Sequence, residues 1–325
     1  MSAVSVQPLR PEEMLAKPVW IDPAYDNPGR LMDLVRASAP HRMSAAVHKK
    51  DEDGRDVPWF RIFWAAGTKL LDERAREFFY NERFVEAAKE SFDAKVIIPN
   101  ALMTNHHAPM AGGPPHLDLP FFRSQRAYPF WLLVSMAYSG LFHRWAIPIA
   151  STIVWFYRGA GGDLEYWLDG PDAPSKLVHP PLWNVGVVSD NEYMWHRVGP
   201  IGEQDERMAP GTIRRDAQLH AQADNSWRIT DSAGFDRHFK QDQIRHSFLW
   251  KAYAFADERA HREFLDHSND LTDQQIISVF NADLKQRDIE PVECSDPVAD
   301  QAWKKLIQQN YKARKVYGAQ TAGGY

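Results

Sequence analysis

The sequence predicts a mainly β core, an antiparallel sandwich or barrel, set between helical flanks. Three observations predict it. Past residue 95 the chain breaks into short apolar runs at 95–98, 151–157, 164–168, 184–188, 193–198 and 244–255, rich in Val, Ile, Trp, Tyr and Phe. Turn signals such as Gly159-Ala160-Gly161-Gly162, Asp169-Gly170-Pro171 and Asp190-Asn191 separate these runs. Towards both ends of the chain, apolar residues recur instead at helical steps. Many short strands punctuated by turns close into a sandwich or barrel more readily than into any other architecture.

The 325 residues are 44% apolar and 25% charged with a net charge of −5. A chain of this size buries roughly 75% of the surface its unfolded form exposes, so disorder is excluded as the main state. A mildly acidic chain without a basic stripe excludes nucleic acid as a partner class. The lone Cys294 cannot close an intrachain disulfide, and the opening residues lack an apolar secretory core, which places the chain in the cytosol. The apolar stretches 128–142 and 145–157 fall short of the ~18–20 uncharged residues of a membrane span and read as buried core.

In order along the chain, residues 1–94 read as a mainly helical N-terminal flank. Leu71, Ala75, Phe78, Val85, Ala88 and Phe92 mark one face of an amphipathic helix over 70–92. The β core follows over 95–256, with a polar excursion at 203–243 that carries one short strand around Trp227-Arg228-Ile229. Helices return over 257–325. Thr272 with Gln275 forms a capping box ahead of Ile276, Phe280 and Leu284. A last helix over 297–317 presents Trp303, Leu306, Ile307 and Tyr311 on one face, and the tail 318–325 frays. No repeat interrupts this layout, which reads as one domain over 1–325.

The sharpest local feature is Gly112-Gly113-Pro114-Pro115-His116-Leu117-Asp118-Leu119-Pro120. In an extended segment His116 and Asp118 project from one face and can reach one ion together. An imidazole and a carboxylate are two of the three ligands of the facial triad that holds non-haem Fe(II) and leaves positions open. A third ligand has to come from elsewhere, and His196 supplies it, on a strand that returns after a turn at Asp190-Asn191. Taken singly, His116 reads first as a loop histidine and His196 as a core histidine bonded to a backbone carbonyl. Arg245 and Ser247 share a face near the last core strand, and a guanidinium beside a hydroxyl matches a carboxylate. Alone, that pair fits a surface ion pair as well.

Taken in order, His-x-Asp, the strand Gly161-Gly162-Asp163-Leu164-Glu165-Tyr166-Trp167, the strand–turn–strand ending His196-Arg197-Val198, and Arg245-x-Ser247 on a final aromatic strand carry more than any one of them. Over about residues 100–255 the chain resembles the Fe(II)/2-oxoglutarate-dependent dioxygenase superfamily, in its phytanoyl-CoA-hydroxylase-like or prolyl-hydroxylase-like branches. The resemblance implies a double-stranded β-helix, the jelly roll of cupin-like enzymes. It implies His116, Asp118 and His196 as iron ligands, and Arg245 with Ser247 as the site for the distal carboxylate of 2-oxoglutarate. The implied reaction uses O2 to couple decarboxylation of 2-oxoglutarate to succinate with hydroxylation, desaturation or cyclisation of a small organic substrate. Related halogenases carry Gly or Ala where Asp118 stands, so hydroxylation is the implied default.

One departure concerns Arg245, which lies 49 residues beyond His196, whereas many relatives place the arginine roughly ten to twenty residues on. Arg207, Arg214 and Arg215 stand at the usual separation and are rivals, although none is followed by the hydroxyl. Towards substrate, 105–110 and 121–123 would border the mouth of the site. Arg123 reads first as a solvated or ion-paired arginine and second as a contact for a substrate carboxylate. Trp131 and Trp155 read as core that could also line a pocket. Two other classes stay open: a hydrolase or isomerase holding zinc or manganese on the same three residues, and a non-catalytic cupin-like binding protein. The oligomeric state is not legible in the sequence.

Overall fold

A computed structural model describes residues 8–44 and 57–312. Its strands are β1 (Val19–Ile21), β2 (His41–Met43), β3 (Trp59–Ala66), β4 (Lys69–Leu70), β5 (Val96–His107), β6 (Ile149–Tyr157), β7 (Leu164–Trp167), β8 (Lys176–Val178), β9 (Leu182–Ser189), β10 (Trp195–Val198), β11 (Gln218–Ala221), β12 (Trp227–Thr230), β13 (Asp236–Phe239) and β14 (Arg245–Phe255). Every pairing between them is antiparallel.

The strands form a large sheet in the order β1-β9-β6-β14-β5-β3-β2-β11-β12-β13, with β4 paired to β3, and a small sheet in the order β10-β7-β8. Residues 110–116 run along the free edge of β10 through bridges Met110↔Ile201 and His116↔His196, and so act as a fourth strand of the small sheet. The chain alternates between the two sheets. It passes from β5 in the large sheet to 110–116 in the small one, back to β6, across to β7 and β8, back to β9, across to β10, and finally to β14. This alternation is what winds a double-stranded β-helix, in which each turn contributes a strand to both walls. The expected jelly-roll core is therefore the fold observed.

Period-two alternation decides what each central strand offers to each side. On β14, Arg245, Ser247, Leu249 and Lys251 face the small sheet, where the first three line a cavity. Phe248, Trp250 and Ala252 face the opposite way, into the main hydrophobic cluster with Phe60, Trp64, Val154 and Phe156. Covered on both faces, β14 is buried almost throughout, which explains its near-continuous apolar and aromatic sequence.

The outer face of the large sheet is closed by helix α1 of the packing layer, Glu82–Phe92. Its Phe84, Ala87 and Ala88 enter the main cluster, and Phe84 meets Tyr25 and Trp250 edge-on. The Asn81 side chain caps this helix by accepting from the Arg83 backbone N–H at 3.0 Å. A second cluster joins helices α2 (Phe130–Ser139), α3 (Asp273–Gln286) and α4 (Gln301–Asn310) through Leu132, Met136, Phe142, Phe280, Trp303 and Ile307. The Thr272–Gln275 capping box opens α3 as expected. No helix among the described residues is long and apolar enough to cross a membrane.

Several expectations need correction. The described part of residues 1–94 is not a helical flank, because β1, β2, β3 and β4 belong to the large sheet and β3 pairs along β5. The helix expected over 70–92 is broken: Lys69–Leu70 is a strand, short helical turns occupy Glu73–Ala75 and Arg76–Phe79, and the Asn81 cap starts a separate helix. The stretch 203–243 is more than an excursion with one strand. It holds β11, β12 and β13, a meander that extends the large sheet beyond β2. The last helix ends at Asn310 rather than 317, and the tail 318–325 lies outside the described residues.

Candidate metal centre

His116 and Asp118 reach the site because a glycine-proline segment lies flat against β10. A Cβ on Gly112 would come within 2.8 Å of the Val198 carbonyl oxygen, so only glycine lets the two backbones approach there. The backbones of His116 and His196 exchange hydrogen bonds in both directions at 3.0 Å, and Asp118 N–H donates to the Asn191 carbonyl at 2.8 Å. These bonds bring together three residues that are up to 80 positions apart in the chain.

The ring orientations follow from local carbonyls. His116 Nδ1 lies 3.0 Å from the Pro114 carbonyl and His196 Nδ1 lies 2.9 Å from the Met194 carbonyl, each two residues upstream. A neutral imidazole that donates from Nδ1 presents its Nε2 lone pair. Both Nε2 atoms face the same carboxylate oxygen, Asp118 Oδ1, at 4.0 Å each. The three ligand atoms lie within 4.8 Å of one another, and this is the one such group found among the described residues. Burial holds the His196 imidazole down to about 4, with His116 adding to the effect, so it is neutral and able to ligate.

The other carboxylate oxygen is already engaged. Lys251 Nζ donates to Asp118 Oδ2 at 2.8 Å and to Glu192 Oε1 at 2.9 Å. Burial opposes ionisation of Asp118, but Lys251 and the two histidines outweigh it and hold the carboxyl below its ordinary range. Lys251 is likewise held raised, burial being outweighed by its two carboxylates. A carboxylate tied through Oδ2 offers a metal only Oδ1, and a one-atom carboxylate with two imidazoles leaves the remaining positions of an octahedron open. The donor set therefore fits a divalent transition metal held by a facial triad.

The triad opens onto a cavity of about 540 Å³ between the sheets. Arg245 and Ser247 stand in its wall, and both are buried. Arg245 is only 2% exposed, its Nε donates to the Gly162 carbonyl at 2.9 Å, and it forms no ion pair among the described residues. Burial lowers its pKa to about 10, which leaves it charged at neutral pH. The surface ion pair open at the sequence level is thus not what this arginine makes. Gly162, at φ +77°, is needed beneath it, since a Cβ there would lie 2.9 Å from Arg245 Cδ and 3.0 Å from Tyr157 Cε1.

Among the rival arginines, Arg207 donates to the Gly202 carbonyl, Arg214 is exposed, and Arg215 lines the cavity from an exposed position. Arg123 does not border the cavity. It lies beside Arg144 and Trp145 in a separate surface pocket and donates to the Arg144 carbonyl. Phe122 is likewise buried in the helical cluster, and Trp131 packs on Trp303, whereas Trp155 does line the cavity. Asn105 and His107 belong to the end of β5, with side chains on the cavity.

Four cavity or triad neighbours escape a motif-based reading: Trp59 and Arg61 on β3, and Lys251 and Glu192 behind Asp118. Lys251 continues the period-two series 245, 247, 249 and was accessible by that count. Trp59 and Arg61 lay in a segment read as helical.

No family model matches the chain, and no curated protein matches it. In three dimensions it is similar to an oxidoreductase of the 2OG-Fe(II) oxygenase family from Burkholderia pseudomallei, at 12% identity and a TM-score of 0.40 over 73% of this chain and 84% of that one. It is similar to a Pseudomonas putida prolyl-4-hydroxylase at 12% identity and TM-score 0.41, over 74% and 93% of the two chains. HygX from Streptomyces hygroscopicus, solved with nickel, 2-oxoglutarate and hygromycin B, is similar at 6% identity and TM-score 0.37, over 74% and 83%.

Proposed function

We propose that the chain is a single-domain non-haem Fe(II)/2-oxoglutarate-dependent oxygenase that hydroxylates a small organic substrate. One observation supports this reading above the others: an open two-histidine, one-carboxylate group and a buried guanidinium with no ion pair among the described residues line the same cavity. A hydrolase or isomerase on the same triad leaves Arg245 without a task, and a binding protein leaves the triad without one.

In this reading His116, His196 and Asp118 hold the metal through two Nε2 atoms and one carboxylate oxygen, and the metal with 2-oxoglutarate and O2 supplies the oxidising chemistry. Lys251 keeps Asp118 ionised and its Oδ2 occupied. Arg245 binds the distal carboxylate of 2-oxoglutarate through its terminal nitrogens, assisted by the Ser247 hydroxyl. Gly162 keeps that guanidinium aimed into the cavity. Trp155, Ile153, Leu164 and Leu249 exclude water from the wall against which substrate and cosubstrate lie.

The test is succinate release from 2-oxoglutarate by protein reconstituted anaerobically with Fe(II) and then exposed to air. Wild type should turn over slowly without a primary substrate, and His196→Ala and Asp118→Ala should fall to background. Arg245→Leu should raise the KM for 2-oxoglutarate about tenfold or more, whereas Arg214→Leu should leave it unchanged. Turnover at the wild-type rate in Asp118→Ala would remove the metal assignment, and the reverse ranking of the arginines would move the cosubstrate anchor.

A further inference from the structure

Besides Arg245, the cavity wall holds a half-buried cationic group at Arg61. Arg61 on β3 pairs in register with Asn105 on β5, which in turn pairs with Ser247 on β14. Arg245 instead pairs with His107, so the two arginines start from backbone positions roughly 12 Å apart by strand spacing and rise. Asn105 and His107 stand between them on the cavity wall.

Around Arg61 the donors are fixed and uncompensated. Asn105 Oδ1 accepts from Trp59 Nε1 at 2.9 Å and from Arg61 Nε at 2.8 Å. Two donors on one oxygen settle which way the amide points, so Asn105, only 9% exposed, turns its NH2 group away from both. The Arg61 guanidinium lies 4.5 Å above the Trp59 ring. Among the described residues it forms no ion pair, and its two terminal nitrogens have no hydrogen-bond partner. Burial lowers its pKa to about 10, partly offset by Asp118, so it stays charged.

Charge balance says what is missing. With a divalent metal present, Asp118 and Glu192 are offset by Lys251 and part of the metal charge, while Arg61 and Arg245 add two more positive charges. Among these buried and half-buried groups a 2-oxoglutarate dianion leaves one positive charge in excess, the exposed Arg215 on the same wall not being counted. A partly buried cation without a counter-ion is costly, and a planar guanidinium beside an amide NH2 matches a carboxylate. Much of the remaining wall is apolar, with Val57, Met110, Ile153, Trp155 and Ile201.

We propose that Arg61 and Asn105 form the primary-substrate carboxylate site, and that the substrate is a small carboxylic acid with an apolar body. This rests on the oxygenase reading for the identity of the second anion. The test is calorimetric titration of the full chain with 3-phenylpropanoate and hexanoate, each against its primary amide, in metal-free protein and in protein holding Mn(II) and 2-oxoglutarate. At least one acid should bind about tenfold or more tightly than its amide. Arg61→Leu and Arg61→Gln should lose that preference while 2-oxoglutarate affinity stays within about twofold, and Arg61→Lys should retain part of it. Equal binding of acid and amide, binding of neither, or an unchanged preference in Arg61→Gln would overturn the proposal. Loss of 2-oxoglutarate affinity in the Arg61 variants would assign the pair to the cosubstrate instead and overturn it equally. If 2-oxoglutarate binds no form of the protein while the acid preference holds in metal-free protein, the oxygenase reading fails and the carboxylate site stands.

Discussion

Lys251 is the residue on which the proposed metal centre turns, although it lies outside every motif. Its ammonium divides Asp118 into one oxygen for the protein and one for the metal, and it neutralises Glu192 behind. Removing one member of such a buried group leaves the others unpaired, a loss on the order of 3–5 kcal/mol. Lys251→Met should therefore lower the urea midpoint clearly and weaken Mn(II) binding by calorimetry, and Lys251→Arg should recover part of both. A Lys251→Met protein with wild-type metal affinity would show that Asp118 needs no such partner. Gly162→Ala should act on the other end of the cavity, because its Cβ would push against Arg245 Cδ at 2.9 Å. The expected result is a 2-oxoglutarate KM raised about tenfold with little change in metal affinity.

At the level of elements, the strands that carry the site are legible in sequence where they are long and buried on both faces. The aromatic and β-branched runs that become β6, β9 and β14 announce themselves, and the Thr272–Gln275 box fixes the start of α3 because capping is a local interaction. Thr272→Ala should cost about 1 kcal/mol in a denaturant melt, without altering metal binding, since α3 packs in the cluster remote from the cavity. A larger loss would mean that this cluster also supports the jelly roll. β3 is not legible in the sequence for a physical reason. Its Trp59 and Arg61 face a cavity rather than water or core, so the usual polar and apolar alternation does not sort its two sides. β1 and β2, of three residues each, are set by their partners β9 and β3 rather than by their own sequence. The grouping of His116, Asp118 and His196 is legible because they lie on extended segments whose period-two geometry can be counted. The spacing of Arg245 was not, because an inserted meander of β11, β12 and β13 separates it from His196.

The whole molecule carries a pH liability on the far side of the large sheet. His41, His106 and His246 are buried together against Trp227, with rings 4.4 Å apart for His41 and His106 and 4.8 Å for His106 and His246. Burial holds His41 down to about 4 and His246 down to about 3, and pushes His106 down in the same direction. A histidine depressed on folding contributes stability that is complete above its unfolded value of about 6.5 and is lost as pH falls towards the folded value. At pH 5 the loss is about 2 kcal/mol each for His41 and His246, and His106 acts in the same direction. Urea midpoints should therefore be flat above pH 7 and fall steeply between pH 6.5 and 5, before most carboxylates titrate. A flat profile across that interval would mean that the cluster is hydrated or already protonated.

The proposed oxygenase binds Fe(II) through His116, Asp118 and His196 and 2-oxoglutarate through Arg245 in one cavity. The most direct test of that assignment is the anaerobic visible spectrum of protein whose Fe(II) content has been measured. A weak charge-transfer band should appear only when 2-oxoglutarate is added, persist in Arg214→Leu, and in Arg245→Leu require far more cosubstrate. Iron-loaded wild-type protein that develops no band at saturating 2-oxoglutarate would contradict it.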